Sequence, residues 1–323
     1  VRAVVVSEQG GPEVLELVER ETPEPGEGQV RVDVQAAGVN FIDIYQRSGA
    51  YAMQLPFVAG SEGAGTISAV GPGVADLAVG DLVTWAMVAG TGYAEQTLVA
   101  ADRLIRVPAG VEAEQAAAVM LQGMTAHYLV ESTFPAREGQ TALVHAAAGG
   151  VGLLLCQMLA AKGVRVIGTT STPEKAELAR EAGADEIVFY REQDVVTEVR
   201  RLTDGEGVHV VYDGVGASTF DAGLDVLRPR GTMVLFGASS GAVAPVDPQV
   251  LNAKGSLFLT RPSLAHYVAD PAELAERAGS VLGQVADGTL TVRIGGRYPL
   301  AEASRAHADL AGGGTTGKLV LLP

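Results

Sequence analysis

Residues 141–152 read TALVHAAAGGVG. An apolar run passes directly into a glycine-rich turn, and an apolar helical stretch, 151–162, starts as the turn ends. This is the setting in which the dinucleotide fingerprint GxGxxG operates: the middle glycine lets the backbone approach a pyrophosphate, and the last lets helix and strand pack closely. Gly149 and Gly152 fill those places, while Ala147 stands where the first glycine belongs. The unpaired N–H groups and partial positive charge of a helix start suit a phosphate, so the amides of Gly149, Gly150, Val151 and Gly152 are expected to grip one.

Outward from this stretch, strands are expected at 141–147, 164–170, 186–189, 209–213 and 231–236, separated by helices at 151–162, 173–182, 194–202 and 218–227. Regular βαβ alternation means a parallel, doubly wound α/β sheet. Two later strand ends, Tyr212-Asp213-Gly214-Val215-Gly216 and Phe236-Gly237-Ala238-Ser239-Ser240-Gly241, place glycines at the carboxyl edge of the sheet, where open α/β sheets bind ligands.

The cofactor type depends on residues about 20 positions beyond the turn, where an acidic side chain would bind the ribose 2′-hydroxyl of NAD. Here stand Thr169, Thr170 and Ser171, whose hydroxyls could bond a 2′-phosphate, with Lys175 one helical turn later. NADPH is therefore expected. Glu174, after Pro173, fits a helix's first turn, where a carboxylate complements the dipole.

Before this region the chain is rich in strands and turns: 3–6, 29–36, 63–70, 81–87 with the lone Trp85, and 93–99, punctuated by glycine and proline. Short strands of this kind imply a compact barrel-like domain. Helices follow at 112–121 and 123–132. After about residue 259 a helix at 271–287 leads to strands at 291–294 and 318–322, a tail whose simplest accommodation is back in the first domain. Expected domains are thus 1–122, 123–260 and the returning segment 261–323.

Hydrophobic residues make up 47% of the 323, and charged ones 19%, which is enough to build large cores under an ordinary polar surface. The formal charge of −15 argues against nucleic acid as a main partner. No apolar run is long enough to span a membrane, and the N-terminal residues do not read as a signal peptide, so a cytoplasmic location is expected. Cys156 is the sole cysteine, in an apolar run, so it is expected in a core. The five histidines show no metal-ligand spacing, and metal chemistry is not expected.

Together these residues resemble the zeta-crystallin-like quinone oxidoreductases of the medium-chain dehydrogenase/reductase superfamily. The likeness rests on HAAAGGVG with Ala146, Gly149 and Gly152, on AAGVNFIDIYQRSG at 36–49, on PFVAGSEGAG at 56–65, on VYDGVG at 211–216 and on GSLFLTRPSL at 255–264. It implies a GroES-like β-rich catalytic domain, a Rossmann domain and a homodimer. Zinc-dependent members of the superfamily carry Gly-His-Glu where this chain has Gly60-Ser61-Glu62.

Carried over position by position, the resemblance implies Asn40, Phe41, Asp43 and Tyr45 in the cofactor and substrate pocket, with Tyr128 on the helix between domains. It implies Ser171, Lys175 and Tyr190 at the 2′-phosphate. Ser239, Ser240 and Gly241 with Thr260, Arg261, Pro262 and Ser263 would close over the nicotinamide side. Close relatives can place an arginine toward the adenine end, whereas here a Gly312–Thr316 run is followed by Lys318 alone.

The expected activity is metal-free hydride transfer from NADPH to a quinone, with protons supplied by solvent. Asn40 would orient the acceptor carbonyl, Tyr45 and Tyr51 would wall the pocket, and Arg261 would stabilise oxyanion character. A second reading is an NADPH-dependent enone or enoyl reductase, which needs a proton donor such as Tyr45. A remote third is an RNA-binding or structural protein retaining the cofactor site, which the acidic composition disfavours.

Overall fold

The computed structural model describes all 323 residues, and the chain forms two compact units, Val1–Met124 with Tyr267–Pro323, and Thr125–His266. The first contains β1 (Arg2–Val6), β2 (Leu15–Glu19), β3 (Gln29–Val39), α1 (Phe41–Ser48), β4 (Phe57–Val58), β5 (Glu62–Val70), β6 (Leu82–Ala86), β7 (Gln96–Ala100) and β8 (Ile105–Arg106). The helix α2 (Ala113–Tyr128) follows. Then come β9 (Thr141–Val144), α3 (Gly150–Ala161), β10 (Arg165–Thr170), α4 (Pro173–Glu181), β11 (Glu186–Phe189), α5 (Val195–Leu202), β12 (Val208–Asp213), α6 (Phe220–Val226), β13 (Leu227–Leu235), α7 (Gln249–Ala253) and β14 (Phe258–Thr260). The chain ends with α8 (Leu264–Tyr267), α9 (Pro271–Ala286), β15 (Ile294–Pro299), α10 (Ala303–Ala311) and β16 (Lys318–Leu322).

In the first unit β3 is the hub. Its first half alternates, with Val30, Val32 and Val34 buried and Asp33 and Gln35 exposed, as a strand with one wet face should. From Ala36 to Val39 every residue is buried, and along this stretch β3 pairs with β5 at Ala36 and with β16 from Ala37 to Val39. The sheet runs β15-β16-β3-β5-β6-β8, with β7 also on β3, and its core holds Val30, Val32, Ile67, Val83, Trp85, Leu319 and Leu321. A smaller sheet, β2-β1-β4, completes the unit's strands.

The second unit is a six-stranded sheet ordered β11-β10-β9-β12-β13-β14, parallel throughout. The order reverses between β9 and β12, and in such sheets the crevice beyond the carboxyl ends at the reversal is where ligands sit. Leu143, Ile167, Val188, Val211 and Met233 from five strands pack with Val199 of α5 and Leu224 of α6. Local chemistry sets the helix starts: the Thr172 hydroxyl accepts from the Lys175 amide ahead of Pro173, and the Asp194 carboxylate accepts from the Thr197 amide at 2.8 Å.

The fold corrects several boundaries. The expected helices 112–121 and 123–132 are one helix, α2, continued by a π-helical turn at Leu129–Thr133. Gly123 does not break it; a Cβ there would lie 2.6 Å from Val281 Cγ1, so the glycine makes room for α9. The strand expected at 231–236 begins at Leu227, and the helix before it spans only Phe220–Val226. The strand expected at 93–99 starts at Gln96, leaving Tyr93 in the core, and that expected at 291–294 instead spans Ile294–Pro299.

Candidate active site

The second unit's turn leaves β9 at Val144, three residues earlier than expected, and bends at Ala146, which has φ +51°. The left-handed residue is thus Ala146 rather than Ala147, which is buried and donates its amide to Thr169 O. Gly149 is the N-cap of α3 in extended geometry, with no side-chain cap and no acidic residue in the first turn. A Cβ on Gly152 would lie 2.2 Å from Ala146 O and 2.9 Å from Ala147 Cα, so helix and turn approach as closely as backbone permits. The Gly149 amide is spent within the turn, donating to Ala146 O at 2.8 Å, so the expected donors reduce to Gly150, Val151 and Gly152 at the helix start, with no competing carboxylate, which fits a dinucleotide's pyrophosphate.

Next along the edge, β10 ends at Thr170, whose buried Oγ1 has no partner. Thr169 is a correction. Its hydroxyl is buried, lies 3.2 Å from His145 Nδ1 and accepts from the Ala146 amide at 3.3 Å, so it braces the turn and is not available to a 2′-phosphate. Burial holds the His145 imidazole below its ordinary range. Ser171 is half-buried, Lys175 lies in the first turn of α4, and Tyr190 is exposed just beyond β11, with its amide on Thr170 O. Glu174 takes the helix-start role expected of it: hydrogen bonds at the start of α4 hold its carboxyl below the usual range.

The other strand ends are built by Asp213. Its Oδ1 accepts from the Val215 and Gly216 amides at 2.7 and 3.0 Å, and its Oδ2 from the Thr219 hydroxyl at 2.8 Å. Gly216 has φ +93°, and a Cβ on Gly237 would lie 2.5 Å from Gly214 O, so the Gly214–Gly216 and Phe236–Gly237 segments press together. Ser239 donates its amide to Gly214 O. The Ser240 hydroxyl donates to Val215 O at 2.8 Å and accepts from the Ser218 amide at 3.1 Å, holding two loops together ahead of Gly241. Beyond β14, Arg261 donates to Pro262 O at 3.0 Å, next to Ser263. Tyr128, at the end of α2, is buried.

In the first unit the candidates cluster at the start of α1. Asn40 is its N-cap, and the Asn40 backbone N–H donates to Asp43 Oδ2 at 2.9 Å, the arm of a capping box that the N3 carboxylate supplies. Phe41 and Tyr45 lie 6.2 Å apart by ring centroids, and Tyr45 lies 5.2 Å from Tyr51, forming an aromatic row. Burial pushes the Asp43 carboxyl up to about 6, despite its hydrogen bonds. Tyr93 donates to Asp43 Oδ2 at 3.2 Å, and its oxygen lies 2.9 Å from His307 Nε2. Burial also pushes His307 down to about 3, so it stands neutral.

The side chain of Asn40 is not available to orient an acceptor carbonyl as expected. Its Nδ2 donates to Glu62 Oε2 at 2.8 Å and to Gly38 O at 3.4 Å, and its Oδ1 accepts from Lys318 Nζ at 2.6 Å. Lys318 also donates to Glu62 Oε2 at 2.6 Å, and both residues are shielded from solvent, 1% and 0% exposed. Lys318 therefore sits in the first unit's core, tied to Glu62. The other Glu62 oxygen accepts from the Leu121 amide at 2.5 Å. Room for this ion pair comes from Gly38, where a Cβ would lie 2.0 Å from Glu62 Oε2 and 2.7 Å from Lys318 Cε. Ser61 is buried and donates to Gln46 Oε1 at 3.3 Å.

Glu62, Tyr93, His307 and Lys318 were not singled out from sequence as site residues. The signal for Lys318 was a lone cation heading an apolar strand, and for Glu62 a carboxylate among the glycines of GSEGAG.

Two family models match: the alcohol dehydrogenase GroES-like domain over residues 26–132 and the zinc-binding dehydrogenase domain over residues 150–269. A quinone oxidoreductase of Pseudomonas aeruginosa is 48% identical over 315 residues, 97% of each chain. A 2-haloacrylate reductase of a Burkholderia species is 40% identical over 330 residues, covering 100% of this chain and 99% of that one. The crystal structure of Escherichia coli quinone oxidoreductase complexed with NADPH superimposes with a TM-score of 0.98 at 42% identity, covering all of both chains. With that agreement in sequence and architecture, the chain belongs to the quinone oxidoreductase family of the medium-chain dehydrogenase/reductase superfamily, a GroES-like domain joined to a Rossmann domain.

Proposed function

We propose that this protein is an oxidoreductase that uses NADPH to reduce quinones. The observation that carries the reading is the turn from Ala146 to Gly152, whose glycines bring backbone amides to the point where the parallel sheet reverses order, in a chain 48% identical to a quinone oxidoreductase. NADPH supplies a hydride when bound. The chain's own part is to hold the cofactor and exclude water. Gly150, Val151 and Gly152 bind the pyrophosphate through their amides, with Gly149 shaping the turn before them; Thr170, Ser171, Lys175 and Tyr190 take the 2′-phosphate; Gly216, Phe236, Gly237, Ser239, Gly241 and Pro262 line the second unit's remaining ligand edge. Phe41, Tyr45 and Tyr51 wall the acceptor side, and Asn40 and Asp43 act by fixing the start of that helix.

The 40% identity to a 2-haloacrylate reductase favours one second reading, reduction of an activated carbon–carbon double bond on the same scaffold. Steady-state rates of NADPH and NADH oxidation with 1,4-benzoquinone and with an α,β-unsaturated ketone distinguish them. Quinone turnover with NADPH is the expected result; turnover of the enone alone would replace the acceptor class.

We also propose a cytoplasmic homodimer. No helix is long and apolar enough to cross a membrane. The edge strand β14 carries Phe258 at 61% exposure, a feature that pairing with a second copy would cover. Sedimentation of the purified protein checks the stoichiometry.

A further inference from the structure

Asn40 is gripped at both ends of its amide. The oxygen accepts from an ammonium and the nitrogen donates to a carboxylate, so a flip would set N–H against Lys318 and oxygen against Glu62. Buried ion pairs are poor sources of net stability, because desolvating both charges offsets most of their attraction, and well-packed apolar replacements are often neutral. What this pair does supply is direction. By holding the Asn40 side chain it anchors the N-cap residue of α1, whose backbone amide donates to Asp43 Oδ2, and so places the helix from which Phe41 and Tyr45 project.

The fold accommodates the pair at two further points. Gly38 on β3 clears the space, and β16 pairs with β3 in a register that sets Val320 opposite Gly38. Leu121 of α2 donates to the remaining Glu62 oxygen, so the carboxylate is held from β16, from the α1 N-cap and from α2. Neither charge is exposed to exchange with solvent ions.

We propose that Lys318 and Glu62 are positioning residues for the acceptor: their ion pair locks Asn40, and with it the aromatic row of α1, in the orientation that receives the acceptor. This rests on the assignment of α1 to the acceptor side under the proposed function. The test uses the 323-residue chain as wild type, Lys318→Met, the charge-balanced Glu62→Gln/Lys318→Met pair, and that pair combined with Asn40→Ala. The lone Trp85 reports folding in the same unit, NADPH titration reports cofactor affinity, and steady-state kinetics with 1,4-benzoquinone separate kcat from KM.

The charge-balanced variant should fold and bind NADPH within about twofold of wild type, while kcat/KM for the quinone falls about 10- to 100-fold, the scale of a misplaced reactant. Adding Asn40→Ala should cost little more, because all three residues act through one amide. Wild-type kcat/KM in the charge-balanced variant would overturn the proposal. So would a charge-balanced variant that fails to fold, which would assign the pair to stability alone. Wild-type protein that binds NADPH and turns over no quinone would instead remove the functional reading beneath it.

Discussion

Gly38→Ala tests the geometry of the buried ion pair with a single methyl group. The added Cβ would stand 2.0 Å from Glu62 Oε2, 2.7 Å from Glu62 Cδ and 2.7 Å from Lys318 Cε. None of these contacts is tolerable, and β3 is paired on both sides and has no freedom to withdraw. The pair must therefore move. If Glu62 and Lys318 separate, the loss is that of breaking a buried ion pair, about 3–5 kcal/mol. If they shift together and lose only the Asn40 bonds, it is about 1.5–3 kcal/mol, the range for hydrogen bonds to charged groups. Urea unfolding followed by Trp85 fluorescence reads this directly, since Trp85 is the only tryptophan and is buried in β6 of the same sheet. At slopes of about 1–3 kcal/mol per molar urea, the midpoint should fall by roughly 0.5 M or more. Gly283→Ala is the control, because no heavy atom lies within 4 Å of its Cβ position inside α9, and it should gain about 0.4–1 kcal/mol. An unchanged midpoint in Gly38→Ala would refute the packing argument.

Three further outcomes are expected. Asp43 titrates near 6 when folded against 3.8 ordinarily, so the folded state holds the proton more tightly and this group makes stability fall as pH rises from about 4 to about 6, by roughly 2–3 kcal/mol; Asp43→Asn should remove that slope in urea titrations across the window. Gly152→Ala puts a methyl 2.2 Å from Ala146 O, and strain of about 1–3 kcal/mol at the turn should weaken NADPH binding about 5- to 100-fold by fluorescence titration, with Trp85 emission unaltered. Lys175→Ala should weaken NADPH much more than NADH, by about 1–2 kcal/mol, and equal losses for both would remove Lys175 from the 2′-phosphate.

The parallel sheet was legible because each strand is a short apolar run bounded by glycine, proline or a helix cap. Residues 186–189 and 318–322 match their strands end to end. Misreadings occurred where one residue type has two uses. Gly123 reads from sequence as opening a second helix and is a packing contact inside one; Leu227 reads as a helix end and opens a strand that runs through Pro229 and Gly231. Thr169 and Thr170 are adjacent hydroxyls with equal claims from sequence, yet alternation along β10 gives one to His145 and leaves the other without a partner. The Glu62–Lys318 pair was least legible, because 256 positions separate its members and no local pattern connects them.

That separation bears on biosynthesis. Thr125–His266 holds all six strands of its sheet in one uninterrupted stretch and can mature as soon as it is made. The earlier half of the other unit must then persist with the margin of β3 uncovered and the Glu62 carboxylate lacking its cation until residue 318 arrives. During that interval an unpaired strand edge and a buried-site charge are open to wrong partners, the condition under which incomplete chains aggregate.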